Sequence, residues 1–337
     1  MKAYLLTKTG KPEVLKISNI DKPTPREDEV LIRSEAIGIN YAEILSRKGQ
    51  YQWAPDKPYI PGMEAYGEVI ALGSKVTTHK VGDKVICGGQ FGSYGEFFCT
   101  KEWLAFPGIQ GFSAEENAAL LVNFMTAWVA LVKLGRLNEG EQILIHAGAG
   151  GVGSAAIKLG NAMGCKVYAT AGSDEKVKLM KELGADIPIN YRTQDFVKVL
   201  NGHGVESVDF VLEVVGGEVF KKSINLLHPF GRLVVAGYAS IPYKKWNPFT
   251  WWPTWRDAPK AQIMDMAKKS IGIFATHIGY LTGREQVAKQ VVREMYDFVA
   301  EHKLKPLVGK TFAFDQMAEA HAYMESRKSV GKIIVKF

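Results

Sequence analysis

The stretch His146–Gly160, HAGAGGVGSAAIKLG, decides the fold. It follows the apolar run QILI at 142–145 and opens a run of helical spacing, so the glycines stand at a strand-to-helix turn. Gly148, Gly150 and Gly153 form G-x-G-x-x-G. In this context the glycines allow a tight turn and a close approach of backbone to a pyrophosphate, held by the amides of Gly150, Gly151, Val152 and Gly153 at the helix N-terminus. A purely structural glycine turn explains the motif less well, because strand, turn and helix occur together.

Working outward, apolar strands and helices alternate. After QILIHA come KVYATA, IPINY, DFVLEVV, GRLVVAGY and SIGIFAT, with helical runs such as SDEKVKLMKELG between them. Continuous apolar strands separated by helices predict a parallel sheet covered on both faces, a doubly wound Rossmann domain. An NAD site ends its second strand with an acid roughly 20 residues past the glycines. Here KVYATA ends at Ala171 and continues Gly172-Ser173, which removes the repulsion of a 2′-phosphate. Ser173 and Lys176 are the candidate phosphate ligands and favour NADPH, although Asp174 opposes this and Ser173 is equally a helix cap.

The first hundred residues differ in texture, with short β-rich runs punctuated by Gly and Pro: AYLLT, EVLIRSEAIGI, AYGEVIALG, DKVICGG and YGEFFCT. SAEENAALL then opens a helix on a capping box, Ser113 with Glu116. After Gly283 a long amphipathic helix, REQVAKQVVREMYDFVAEH, leads to KTFAF, a second helix and the final strand GKIIVKF. The 337 residues predict two domains. The expected division is a β-rich catalytic domain at 1–122 and 283–337 around a nucleotide-binding domain at 123–282.

Composition excludes several classes. The chain has 47% hydrophobic and 23% charged residues, as an ordinary globular protein does. No apolar run approaches the roughly 18 residues of a membrane span, and the opening MKAYLLTKTG has no apolar signal core, so a cytoplasmic address is expected. Cys87, Cys99 and Cys165 are odd in number and scattered, which suits a reducing compartment. The net charge of +7 is spread along the chain, favouring small phosphorylated ligands over nucleic acid.

The phrases GINYAE, PGMEAYGEV, VGDKV, AALLVNFMTAW, HAGAGGVG, LGAD and VGKIIV resemble the medium-chain dehydrogenase/reductases over essentially the whole chain. Within them the sequence is similar to the zinc-independent, zeta-crystallin-like quinone oxidoreductases, in a branch related to the vesicle amine transport protein. The resemblance implies a GroES-like β-rich catalytic domain beside the Rossmann domain, an active site in the cleft against the nucleotide domain, and a homodimer. Zinc members carry G-x-C-x-x-D and G-H-E where this chain has Gly38-Ile39-Asn40-Tyr41-Ala42-Glu43 and Gly62-Met63-Glu64. Asn and thioether are poor replacements for thiolate and imidazole, so no metal is expected.

The same resemblance implies that Asn40 faces nicotinamide and acceptor, with Tyr41 and Tyr51 beside the pocket. It places Thr126 near the nicotinamide ribose, Tyr191 by the adenosine phosphate and Arg327 near that pocket. Gly237 and Tyr238, and Phe274 to Thr276, stand at the carboxyl ends of strands, where such sheets bind ligands. His277 invites a general-acid reading but reads better as structural. The Trp-rich segment 244–255 leaves a pocket lid, a dimer contact, a membrane-facing patch and an inward-packed loop open. The expected activity is NADPH-dependent, metal-free hydride transfer to quinones or other conjugated carbonyls. The alternatives are an α,β-unsaturated aldehyde or ketone reductase, and a nucleotide-binding membrane or interaction protein without turnover.

Overall fold

The computed structural model describes residues 1–237, 258 and 260–337. It divides into two compact units, Met1–Asn123 with Lys305–Phe337, and Phe124–Leu304. The fold is α/β, as expected. The Trp-rich segment 244–255 and Tyr238 lie outside the described residues.

In the first unit β3 (Glu29–Ile39) is the organising strand. β4 (Glu64–Leu72) pairs with it antiparallel, followed by β5 (Lys84–Gly88) and β7 (Ala105–Pro107), while β6 (Phe97–Lys101) pairs with the first half of β3. On its other side lies the last strand of the chain, β15 (Lys332–Lys336), with Ile334 opposite Gly38, and β14 (Val308–Ala313) beyond it. Both chain ends thus build one GroES-like sheet domain. Ile32, Ile37, Val69, Val85, Phe98, Ile333 and Val335 share its core. The capping box forms as read: Ser113 Oγ accepts from the Glu116 amide at 3.1 Å and Glu116 accepts from the Ser113 amide at 2.7 Å.

The second unit holds six parallel strands, β8 (Gln142–Ile145), β9 (Lys166–Ala171), β10 (Ile187–Asn190), β11 (Val208–Glu213), β12 (Leu227–Val235) and β13 (Gly272–Ala275). Their order is β10-β9-β8-β11-β12-β13. The chain runs outward from β8 to β10, then returns to β11 on the other flank of β8. That reversal is the topological switch point, where the carboxyl ends of such strands open a ligand crevice.

One boundary differs from expectation. The helix Glu285–Glu301 groups with the second unit, which ends at Leu304 and not near 282. Its apolar stripe has a partner there: Phe298 packs on Trp128 with ring centroids 5.2 Å apart, and Glu294 pairs with Lys133. Periodicity showed the amphipathic face but not which core it covers.

His146, at the end of β8, is wholly buried, with Nδ1 2.9 Å from Thr170 Oγ1 on β9 and Nε2 2.8 Å from Ser223 Oγ. Ser223 donates its proton to the Val219 carbonyl at 2.7 Å, so Nε2 is the protonated nitrogen and Nδ1 accepts from Thr170. Burial pulls the imidazole from 6.5 down to about 3. Its contribution to stability is therefore complete above the unfolded value and lost as pH falls from 6.5 towards 3. We predict that His146→Gln flattens the acid limb of the urea-unfolding profile by up to about one proton's slope, and identical slopes for variant and parent would contradict this.

Candidate active site

The nucleotide crevice is built from β8 outward. α4 (Gly151–Ala162) starts directly on the glycine turn, with Gly150 as its N-cap and no acidic residue in its first turn. Its first amides and its dipole are therefore open to an anion. The glycines differ in what requires them. A Cβ on Gly153 would stand 2.3 Å from the Ala147 carbonyl oxygen, and one on Gly148 2.6 Å from Met180 Sδ, so packing demands both. At Gly150 the contact within 4 Å is the Ala147 oxygen at 3.3 Å, and the backbone is ordinary for any residue. Close approach of a ligand is the remaining reason for glycine there.

The end of β9 gathers a second group. Ser173 caps α5 (Asp174–Glu182), its Oγ accepting from the Lys176 amide at 3.4 Å. Asn190 Nδ2 donates to the Asp174 carboxylate at 2.7 Å, which ties that acid to the end of β10. A Cβ on Gly172 would meet the Tyr191 hydroxyl at 2.7 Å and Arg192 Nε at 3.3 Å, so tyrosine and arginine close over this glycine. Burial and then the neighbouring Arg192 charge hold the Lys176 ammonium below its ordinary value. Two cations are thus concentrated beside a polar turn. Arg192 was missed in the sequence, where INYR reads as the end of a strand; only its step past Tyr191 signalled it.

The first unit contains a buried polar cluster at the junction of β3 and α1 (Tyr41–Lys48). Asn40 Nδ2 lies 3.0 Å from Glu64 Oε1 and 3.2 Å from Glu43 Oε1, and its Oδ1 accepts from Lys332 Nζ at 2.6 Å. Lys332 also pairs with Glu64, both side chains 2% exposed or less. Glu64 Oε2 accepts the Val122 amide at 2.9 Å. Glu43 accepts from the Asn40 amide at 2.6 Å, the Met63 amide at 2.9 Å and the Tyr94 hydroxyl at 2.6 Å. The Tyr94 oxygen also lies 2.9 Å from His321 Nε2. Burial pushes the Glu43 carboxyl up to about 7, against the hydrogen bonds from Tyr94 and Asn40 and the charge of Lys332. Only glycine fits at 38, where a Cβ would strike Lys332 Cε at 2.7 Å and Glu64 Cγ at 2.9 Å.

Asn40 was expected to face the acceptor; in this structure both its amide hydrogens are engaged by the Glu64 and Glu43 carboxylates, so the side chain organises the cluster. The donor set does not fit zinc either. Glu64 is neutralised by an ammonium of the chain itself, position 63 offers a thioether, and burial pushes the thiol of Cys87 up, so that it stays protonated and donates to the Ala65 carbonyl at 3.3 Å.

The other expected residues are spread over both units. Tyr41 is 48% exposed, and Tyr51 packs on Trp53 with centroids 5.2 Å apart. Thr126 lies on the helix Leu121–Trp128, and Arg327, with φ +61, follows the helix Met317–Glu325 in the first unit. Gly237 follows β12, Phe274 is 39% exposed on β13, and the Thr276 amide donates to the Val235 carbonyl at 2.9 Å. His277 packs edge-on against Tyr280.

Comparison with known proteins fits this geometry. Residues 26–120 match the alcohol dehydrogenase GroES-like domain model and residues 183–335 a zinc-binding dehydrogenase model, which does not include positions 40 and 63. A synaptic vesicle membrane protein VAT-1 homolog of Danio rerio is 33% identical over 99% of this chain and 69% of its own length. Prostaglandin reductase-3 of Mus musculus is 32% identical over 93% of this chain and 82% of its own. The chain belongs to the quinone oxidoreductase-like medium-chain dehydrogenase/reductases. It is an oxidoreductase. The Thermus thermophilus quinone oxidoreductase, solved also as its NADPH complex, superposes with a TM-score of 0.82 at 30% identity, covering 100% of both chains. No described helix is long and apolar enough to cross a membrane.

We predict that Lys332→Met, which strands two buried carboxylates, destabilises the protein by about 3–5 kcal/mol, and that adding Glu64→Gln recovers much of the loss. A loss below about 1 kcal/mol in urea unfolding, the size of an exposed pair, would contradict the buried arrangement.

Proposed function

We propose that this protein is an NADPH-dependent, metal-free reductase of quinones or other conjugated carbonyl compounds. The observation that carries the cofactor choice is the proximity of the Lys176 and Arg192 cations, Arg192 lying with Tyr191 over Gly172, with Asp174 held by Asn190. A dianionic 2′-phosphate suits two cations and the Ser173 and Tyr191 hydroxyls, and the NADPH complex of the Thermus thermophilus relative supports the same choice. When bound, NADPH supplies the hydride. Gly148, Gly150, Gly151, Val152 and Gly153 hold its pyrophosphate, and Thr126, Gly237, Tyr238, Phe274, Thr276 and Arg327 are assigned as further cofactor contacts.

The acceptor class follows from charge. Oxidising a saturated alcohol requires an alkoxide to be stabilised, the work of a Lewis acid in zinc relatives, and Lys332 is already spent on Glu64 and Asn40. A quinone or enone spreads incoming charge onto oxygen by conjugation, so neutral donors suffice. Tyr41 and Tyr51 are assigned that role, and Asn40 holds the junction of β3 and α1 from which Tyr41 projects. The likeness to prostaglandin reductase-3 supports the reductase reading. The remaining edge of β13 in the described sheet suits pairing with a second copy, and a mass of one 37.2 kDa chain by light scattering would contradict a homodimer.

We predict that Lys176→Ala with Arg192→Ala lowers the NADPH to NADH ratio of kcat/KM by about tenfold to a hundredfold, since a charged hydrogen bond contributes about 1.5–3 kcal/mol. An unchanged ratio would place the phosphate elsewhere. In an acceptor panel, 9,10-phenanthrenequinone, an enone and a 2-alkenal should be reduced and ethanol left unoxidised. Ethanol turnover matching the best conjugated acceptor would overturn the acceptor class, and inactivity towards all would favour a binding protein without turnover.

A further inference from the structure

Across the switch point from the glycine turn, β11 ends in Glu213, whose side chain is wholly buried. Oε1 turns back beneath the following loop and accepts the amides of Val215 and Gly216, the latter at 2.8 Å. Oε2 is buried and has no hydrogen-bond partner. The loop it supports, Val214–Gly217, passes through two glycines at φ +88 and +61, and forms one lip of the crevice whose other lip is the glycine turn after β8.

Nothing cationic compensates this carboxyl among the described residues. On β8, His146 is the neighbouring ionisable group, one residue past the Leu212–Ile145 pairing as Glu213 is, and it is neutral with both nitrogens engaged by Thr170 and Ser223. On β12, Glu213 faces Val235, while His228 and Arg232 lie further back along the strand and pair with Asp209 and Glu141. On α7 (Gly217–Leu226), Glu218 pairs with Lys221 and Lys222 with Asp195 at the surface.

We propose that Glu213 is a proton-linked positioning residue of the nucleotide crevice, and that NADPH binds tightly when this carboxyl carries a proton and more weakly when it is ionised. The idea rests on the dinucleotide-binding function proposed above. Ionised, Glu213 is an uncompensated charge one strand, about 5 Å, from the strand that leads to the pyrophosphate turn. Protonated, it keeps the bonds from Val215 and Gly216 through Oε1 and adds no charge opposite the ligand. Burial pushes the carboxyl up to about 7, against the amide bonds, so the change falls within the working range. Binding to the protonated form raises that value further, so affinity falls as pH rises and levels off once the bound form has also titrated. For charges about 10 Å apart at an effective dielectric of about 20, the total drop is about tenfold.

The test is the NADPH Kd, read by cofactor fluorescence, at about pH 6, 7 and 8.5 for the unaltered protein and Glu213→Gln, an isostere of the protonated acid. The unaltered protein should lose about tenfold in affinity over that range relative to the variant, which stays at the tight limit. The second ionisation of the 2′-phosphate, near pH 6, is common to both and cancels in the ratio. Parallel profiles would overturn the proposal. Calorimetry of the unaltered protein near pH 7.5, in buffers of different ionisation enthalpy, covers a variant that fails to fold: a fractional proton should be taken up on binding, and none taken up, or release, would overturn it. No NADPH binding at any pH would instead sink the functional proposal and this one with it, a result distinct from binding with parallel profiles.

Discussion

The contact between Lys332 and Glu64 sets the character of the first unit. It joins the last strand of the chain to β4 across Gly38 on β3, and through Asn40 it reaches the N-terminus of α1. A buried ion pair is not in itself a large source of stability, because desolvation offsets much of the attraction. Its effect here is to fix geometry: with Asn40, Glu43, the Val122 amide and Tyr94 all engaged, the cluster tolerates few rearrangements. It also places the Lys332 ammonium against the Glu64 carboxylate and the Asn40 amide oxygen. Position 63 joins the same cluster through its backbone amide, which donates to Glu43.

The second unit obeys a different constraint, topology. Reversal of strand order at β8 puts the glycine turn and the loop after β11 on opposite lips of one crevice. The end of β9 adds two neighbouring cations, Lys176 and Arg192, to which the proposed function assigns the choice of cofactor. On the proposed reading, positive charge near the end of β9 and the buried acid at the end of β11 act on the same anionic ligand with opposite sign.

Much of this was legible in the sequence because it depended on local pattern. The six strands of the second unit each carry a short apolar run, although β12 begins earlier, at Leu227, than its run LVV, and the capping box at Ser113 is a spacing rule. What escaped depended on long-range pairing. Lys332 in VGKIIV looks like a polar residue beginning a strand, and nothing nearby shows that its partners are Asn40 and Glu64, 292 residues away in the case of Asn40. Asn40 was therefore expected to donate outward when its donors are spent inward. Glu213 reads as the polar end of an apolar strand, and the helix Glu285–Glu301 displays its stripe without naming the core it joins. Tyr191 was named from the resemblance, whereas Arg192 emerged only from its place beside Tyr191 over Gly172.

The central claim is that a lysine ammonium, and no metal, occupies the acidic cluster of a working reductase. The most direct measurement is the zinc content of the purified protein by elemental analysis, paired with its rate of NADPH-dependent 9,10-phenanthrenequinone reduction before and after dialysis against a strong chelator. Zinc well below one ion per chain and an unchanged rate are the predicted result. One zinc per chain, with activity lost on chelation and restored by zinc, would contradict the account.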